Sequence, residues 1–171
     1  MTTRKILIAA VAAAAVSAPA LAQGAATQPA RPAVSLSQAV ATVESQLGAR
    51  AYDAEFDIDR RGAVYEVSVV KDGRAMEAWV DASTGKLLGQ SRNLKAAVPF
   101  LGDRLKTAQT APRTLAQTIA AVETATKGKV SEIGLERRAG RDYYEVELVG
   151  AQDRDVLVDV RTGAITPLLD D

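Results

Sequence analysis

The stretch VDASTGKLLG, from Val80 to Gly89, returns 78 residues later as VDVRTGAITP, from Val158 to Pro167. The echo extends towards the N-terminus. A shift of 79 residues pairs Leu36 with Leu115, Gln38 with Gln117, Val40 with Ile119, Val43 with Val122 and Glu44 with Glu123. The same shift sets Tyr65-Glu66-Val67 on Tyr144-Glu145-Val146. One single-residue gap before the VD phrase reconciles the two shifts. Similarity at a fixed period marks a duplicated structural unit, so reading one copy decides the fold.

Each copy opens with a helix. Ser35 and Thr114 are good N-caps, and each has a glutamine three residues on (Gln38, Gln117), which makes a capping box. Leu36, Val40, Val43 and Leu47 share one helical face, as do Leu115, Ile119 and Val122. Gly48 and Gly128 are the expected C-terminal stops. Three strands follow. They are expected near 53–59, 64–70 and 76–82 in the first copy, and near 131–137, 143–149 and 154–160 in the second. Alternation puts Tyr65, Val67, Val69, Ala78 and Val80 on one face, with Tyr144, Val146, Leu148, Val156 and Val158 as counterparts. That face should receive the helix. Lys71-Asp72-Gly73-Arg74 reads as a hairpin turn.

The repeated phrase itself ends the third strand. Asp81 and Asp159 can accept backbone N–H groups two or three residues on, as an Asx-type turn does. Gly85 and Gly163 can take positive φ without a steric cost. Leu87 and Ile165 then restart an extended segment. The expected fold class is therefore α+β: two tandem α-β-β-β modules, each a helix packed on a small antiparallel sheet. The modules span 35–89 and 114–171. Whether the two sheets join is open at this stage.

Residues 1–22 fall outside the fold. A basic start (Arg4, Lys5), an apolar run from Ile6 to Val16, and Ala20-Leu21-Ala22 have the order of a secretory signal peptide with its cleavage site. The run is too short to span a bilayer, which takes about 20 residues, and no cysteine near the cleavage site offers a lipid attachment point. The expected location is periplasmic or secreted, with no membrane span after signal removal. Residues 23–34 read as a flexible N-terminal segment.

The chain has no cysteine and no histidine. Disulfides, Cys/His nucleophile pairs, Ser-His-Asp triads and nearly all zinc and copper sites are thereby excluded. The whole chain has 21 basic and 21 acidic residues, and removal of a leader containing Arg4 and Lys5 leaves acids in slight excess. No dominant basic face points to nucleic acid. Charge is unevenly spread. Residues 90–113 carry Arg92, Lys95, Arg104, Lys106 and Arg113 against Asp103 alone, between modules of net −3 (36–89) and −4 (114–171). Leu94, Val98, Phe100, Leu101 and Leu105 make this linker too apolar for a free tether. Pro99 and Gly102 forbid one long helix. A docked connection with a short helix near 100–107 is expected, its basic side chains near the acidic sheet faces.

Two motifs fail on inspection. Ser83-Thr84-Gly85-Lys86 matches S-x-x-K, but serine-nucleophile chemistry needs that serine at a helix start, and the second copy has Arg161 and Ala164 at the two ends. Asp57-Ile58-Asp59-Arg60-Arg61-Gly62 opens like a calcium loop, but Arg61 and Ser68 stand where oxygen ligands belong. The sheet face away from the helix is more informative. It should carry Glu66, Ser68, Glu77, Trp79 and Asp81 from one copy, and Tyr143, Glu145, Glu147, Asp155, Leu157 and Asp159 from the other. Antiparallel sheets often wet one side, which accounts for the acids. Trp79, the one tryptophan in the chain, is either a binding anchor or is covered by the linker or the other repeat.

A helix, a strand with YEV, then a strand ending V-D-x-x-T-G before an apolar residue resembles the PepSY domain, twice over, at about 36–89 and 114–167. The resemblance implies a small α+β module without catalytic residues of its own, and a regulatory or inhibitory role towards extracytoplasmic peptidases. No protease domain follows in this chain. The expectation is a non-enzymatic protein that binds another extracytoplasmic protein or peptide, with a peptidase as the candidate partner. No cofactor and no metal site are assigned. A divalent-cation-binding envelope protein using the sheet-face carboxylates is the alternative, and a carboxylate hydrolase is a third reading.

Overall fold

The computed structural model describes residues 32–93, 101–150 and 155–168. The signal-like segment, Leu94, Val98, Pro99 and Phe100 lie outside the described residues, as does the side chain of Leu101. Each repeat begins with a helix, α1 (Leu36–Leu47) or α3 (Leu115–Thr126). Both N-termini close as capping boxes. The Ser35 and Thr114 hydroxyls accept from the backbone N–H of Gln38 and Gln117, whose side chains accept from the cap backbone in return. The stops are left-handed residues whose N–H donates to the carbonyl of Glu44 or Glu123. In α1 the stop is Gly48, at φ 58°; in α3 it is Lys127, at φ 59°, and not Gly128. The repeat conserves the backbone turn rather than the glycine.

Eight strands follow these helices: β1 (Arg50–Asp59), β2 (Gly62–Lys71), β3 (Arg74–Asp81), β4 (Leu87–Arg92), β5 (Val130–Arg138), β6 (Arg141–Leu148), β7 (Val156–Asp159) and β8 (Ile165–Pro167). Each module therefore has one strand more than the α-β-β-β reading, because the segment after the VDxxTG turn pairs back on the third strand. The β2–β3 turn uses Asp72 at φ 50° and Gly73 at φ 71°, the paired positive angles of a type I′ hairpin.

The two sheets join. Strand order is β4-β3-β2-β1-β5-β6-β7-β8, one continuous antiparallel sheet. At the seam Asp53 faces Gly134, Ala54 faces Ile133 and Glu55 faces Glu132. Since the repeat shift equates Ala54 with Ile133, the pseudo-twofold axis passes between that pair. Each copy also carries a bulge at the same place, between Ala51 and Asp53 and between Val130 and Glu132.

The core lies between the sheet and the α1–α3 pair. Val40, Val43, Ile119 and Val122 are fully buried against Ala54, Val67, Val80, Ile133 and Val146. Truncating Ile119 to alanine there should cost about 2–5 kcal/mol. Between the repeats, α2 (Leu101–Thr110) meets the sheet at β1, β2 and β5 and buries Leu105 and Ala108. Among the described residues no helix is long and apolar enough to cross a membrane.

Candidate functional site

The face opposite α1 and α3 is lined with carboxylates whose positions follow from the strand registers. Glu55 pairs with Glu66 on one side and with Glu132 on the other, and Glu132 pairs with Glu147. Four glutamates on four adjacent strands thus form one ladder across the seam, and Trp79 extends it beyond Glu66. A second row runs Glu77, Ser68, Asp53, Gly134, Glu145, Leu157. Like charges directly opposite one another in a sheet are mutually destabilising.

Asp53 is the centre of this field. Its carboxylate overhangs Gly134: a β-carbon on that glycine would lie 3.0 Å from Asp53 Oδ2. Desolvation, then the repulsion of Glu55, Glu132, Glu66 and Glu136, pushes its pKa up from 3.8 to about 7. Glu55 and Glu132 are raised too, chiefly by burial and then by their acidic neighbours. Among the described residues no basic side chain forms an ion pair with Asp53, Glu55 or Glu132. Basic groups stand at the margins: Arg104 bonds Glu136 at 2.9 Å, and Arg138 bonds Glu145. The first of these comes from α2, which therefore borders the acidic face.

Trp79 is half-buried and partnered within its own module. Its Nε1–H donates to Glu66 Oε2 at 3.1 Å. The Arg61 guanidinium lies 4.2 Å above its ring, a cation–π contact, while also pairing with Asp59. Neither α2 nor the second repeat supplies these contacts. Glu66, Glu77 and Glu145 are half-buried and Glu147 is exposed. Tyr143 pairs with Asp159, and Leu157 with Glu145 and Thr166. Asp155 precedes β7, its carbonyl accepting from Leu168 N–H at 2.7 Å.

Asp81 and Asp159 sit at strand ends and work within their turns. Asp81 Oδ1 accepts from the N–H of Ser83 (2.9 Å) and Thr84 (2.8 Å) and from both hydroxyls. Asp159 Oδ1 accepts from the N–H of Arg161 (3.0 Å) and Thr162 (2.7 Å) and from the Thr162 hydroxyl. These bonds hold the Asp81 carboxyl down at about 2 and lower that of Asp159. Gly85 and Gly163 both stand at φ 72°.

Sequence reading placed the acidic face on the second and third strands and missed its middle: Asp53, Glu55, Glu132 and Glu136 on β1 and β5. The signal was present in the alternation Asp53, Glu55, Asp57 against Ala54, Phe56, and in Glu132, Gly134, Glu136 against Ile133, Leu135. Among the described residues no group of three or more acidic side chains is arranged to hold a metal ion.

A crystal structure of a protein assigned as a lipoprotein from Clostridium difficile 630 is similar in part, with a TM-score of 0.43 and 19% identity over 75% of this chain and 87% of that one. No curated protein matches the chain. The sequence profile of one family, described as the peptidase propeptide and YPEB domain, matches at residues 33–91 and again at 114–166. The two matches together take in more than half of the chain and coincide with its two structural repeats, and the protein belongs to the PepSY family.

Proposed function

We infer that this chain is a non-catalytic protein acting outside the cytoplasm, which binds a protein or peptide on its carboxylate-lined sheet face and thereby regulates a peptidase. The observation that carries the binding half is the ladder Glu66–Glu55–Glu132–Glu147 with Asp53 beside it. Five carboxyls share one face, and the central three have no cationic partner among the described residues. The repulsion is relieved by a ligand that brings its own positive charge. An extended segment with lysine or arginine at alternate positions carries a cation about every 6.7 Å along one side, and laid across the strands it would bring several long basic side chains within reach of a ladder whose carboxylates repeat about every 4.8 Å. The peptidase half rests on the family's description, and the location rests on the leader-like order of residues 1–22.

The test is direct. Labelled peptides of alternating Lys and Ala, or of alternating Glu and Ala, are titrated into the chain lacking residues 1–22. The basic peptide should bind saturably and weaken with salt, and the triple variant Glu55→Gln, Glu66→Gln, Glu132→Gln should lose it. The same protein added to exported peptidases of its own cell should change their activity, and the triple variant should not. Equal binding by the triple variant refutes the site; unchanged peptidase activity refutes the regulatory role alone.

A further inference from the structure

The two repeats build the same corner twice and furnish it differently. In each, the VDxxTG turn is tied to the start of the preceding hairpin: Ala82 N–H donates to the Ala63 carbonyl (3.1 Å), and Val160 N–H to the Asp142 carbonyl (3.2 Å). Within the turns, Gly85 N–H donates to the Asp81 carbonyl (2.8 Å) and Gly163 N–H to that of Asp159 (2.7 Å). The side chains diverge. Where the first repeat has Val34, Gly62 and Ser83, the second has Arg113, Arg141 and Arg161. The first repeat thus forms this corner without any of the three arginines.

In the second repeat the corner borders a cavity of about 480 Å³ between the end of α2, the start of β6 and the end of β7. Small-molecule sites span about 300–1,000 Å³. Ala111, Pro112 and Val160 supply an apolar wall, and Arg141 and Arg161 line the same space. Among the described residues neither guanidinium makes an ion pair or a hydrogen bond; Arg161 acts on the Asp159 carboxyl through its charge alone. The Arg113 guanidinium packs against Gly163 of the same turn. The other polar groups on the wall are engaged. Asp142 accepts from Arg137 and from the Thr107 hydroxyl, each at 2.7 Å, and Asp159 accepts from its own turn. The Thr110 hydroxyl donates to the Lys106 carbonyl at 2.9 Å. Arg50 offsets the negative end of α2 by donating from Nη2 to the carbonyls of Ala111 (2.6 Å) and Arg113 (3.1 Å). The free donors at the cavity are therefore guanidinium groups.

We propose that this cavity binds a small organic oxyanion, its phosphate or carboxylate group held by Arg141 and Arg161 and its body laid against Pro112 and Val160. A guanidinium presents paired N–H donors in a plane, which match two oxygens of either group. The apolar wall and the volume suit a ligand with a ring or hydrocarbon body rather than a bare ion. No break in the described chain adjoins the cavity. Residues 94–100 lead into α2 at Leu101, about 14 Å along the helix from Thr110. Residues 151–154 and 169–171 lie beyond the opposite end of β7 and β8, where Val156 pairs with Pro167. Residues 1–31 enter at Pro32, whose neighbour Ala33 bonds the Ala82 carbonyl in the first repeat. The site shares no residue with the acidic ladder, and either can fail without the other.

Phenyl phosphate and benzoate are the probes, each titrated at fixed ionic strength into the isotope-labelled chain lacking residues 1–22 while backbone amide shifts are followed. Saturable shifts should gather at Thr110, Arg141, Val160 and Arg161. Saturation by phenyl phosphate alone assigns a phosphate ester, by benzoate alone a carboxylate, and by both either group. Arg141→Gln and Arg161→Ser should each weaken binding about tenfold, and the double variant should abolish it while keeping the unfolding midpoint of the parent. Arg74→Gln, which removes an exposed arginine at the start of β3, should change nothing. Four results would each overturn the proposal. They are no saturable shifts from either probe, undiminished binding by the double variant, an equal loss in Arg74→Gln (general attraction of anions), or a lowered midpoint of the ligand-free double variant (the arginines serve the fold).

Discussion

The carboxylate of Asp53 overhangs the α-carbon of Gly134 across the seam between the repeats, so closely that a β-carbon on Gly134 would meet Asp53 Oδ2 at 3.0 Å. The repeat equates Asp53 with Glu132 and Glu55 with Gly134. One of the four symmetry-related positions has thus lost its side chain, and Asp53 occupies the space. This relieves one repulsion and buries another charge.

Asp53 should make the protein less stable as pH rises. Its pKa is raised to about 7 in the folded state, from 3.8, so between about pH 4 and pH 7 the folded chain holds a proton that the unfolded chain releases. Stability linked to this group is full below pH 4 and is lost as pH climbs through 7. Asp53→Asn should flatten that slope and leave the protein more stable than the parent at pH 8. Urea unfolding at pH 4, 6 and 8 measures it; an unchanged slope in the variant contradicts the assignment.

The capped helices, the first three strands of each repeat and the VDxxTG turn were legible because each is written locally: a cap residue with glutamine three on, alternation of apolar side chains, an aspartate before a glycine. The β1–β5 seam was not. It rests on Ala54 meeting Ile133, 79 residues away, and no local pattern announces an edge strand that has found a partner. Asp53-Ala54-Glu55 reads like a solvated edge, with acids that protect such edges from pairing. Here the small Ala54 and Gly134 let the two edges approach. The middle of the acidic face was hidden for the same reason, since Glu55 and Glu132 become neighbours only across the seam. The partners of Trp79 were not legible, because sequence cannot show that Arg61, eighteen positions earlier, folds back over its ring.

The turn carboxylates should show the opposite pH dependence from Asp53. Asp81, held at about 2, and Asp159, also lowered, gain hydrogen bonds only as carboxylates. Their contribution is present above about pH 4, the unfolded value, and is lost as pH falls towards 2. Asp81→Ala should lower Tm by a few degrees at pH 7 and by much less at pH 2. Thermal melts at the two pH values separate a carboxylate-specific effect from a general loss of packing, which would be the same at both.

Gly85 and Gly163 share φ 72° but differ in surroundings. A β-carbon at Gly85 would lie 3.3 Å from the Val34 side chain, whereas at Gly163 it would run into the Arg113 guanidinium. Valine pays the left-handed backbone penalty at either site, about 1–2 kcal/mol. Gly163→Val must in addition displace the Arg113 guanidinium, so it should be the more damaging of the two, and Arg113→Ala should restore part of the difference. Chemical denaturation of the two single variants and of the Gly163→Val, Arg113→Ala double variant decides this. A Gly85→Val protein less stable than Gly163→Val would reverse the argument.

The joined sheet makes a further claim about cleavage. Arg104 and Lys106 lie in α2, the segment between the repeats, and would be the natural tryptic sites of a free tether. Arg104, however, pairs with Glu136 at 2.9 Å, and its neighbour Leu105 is only 8% exposed. A protease needs the chain extended, so cutting here requires α2 to undock and the Leu105 burial to be given up. Exposure of the basic side chains alone is not sufficient. Limited trypsin digestion of the folded protein should therefore spare α2 until harsher conditions, and Leu105→Ala, at a cost of about 2–3 kcal/mol, should speed the cut. Once nicked, the halves should not part. The β1–β5 pairing and the α1–α3 contact both cross the cut, and neither half can bury Val43 and Ile133 alone as the joined sheet does. Size-exclusion chromatography of the nicked protein should give one peak at the intact size. Two separately folded fragments would mean that the repeats are independent domains and that the seam contributes little.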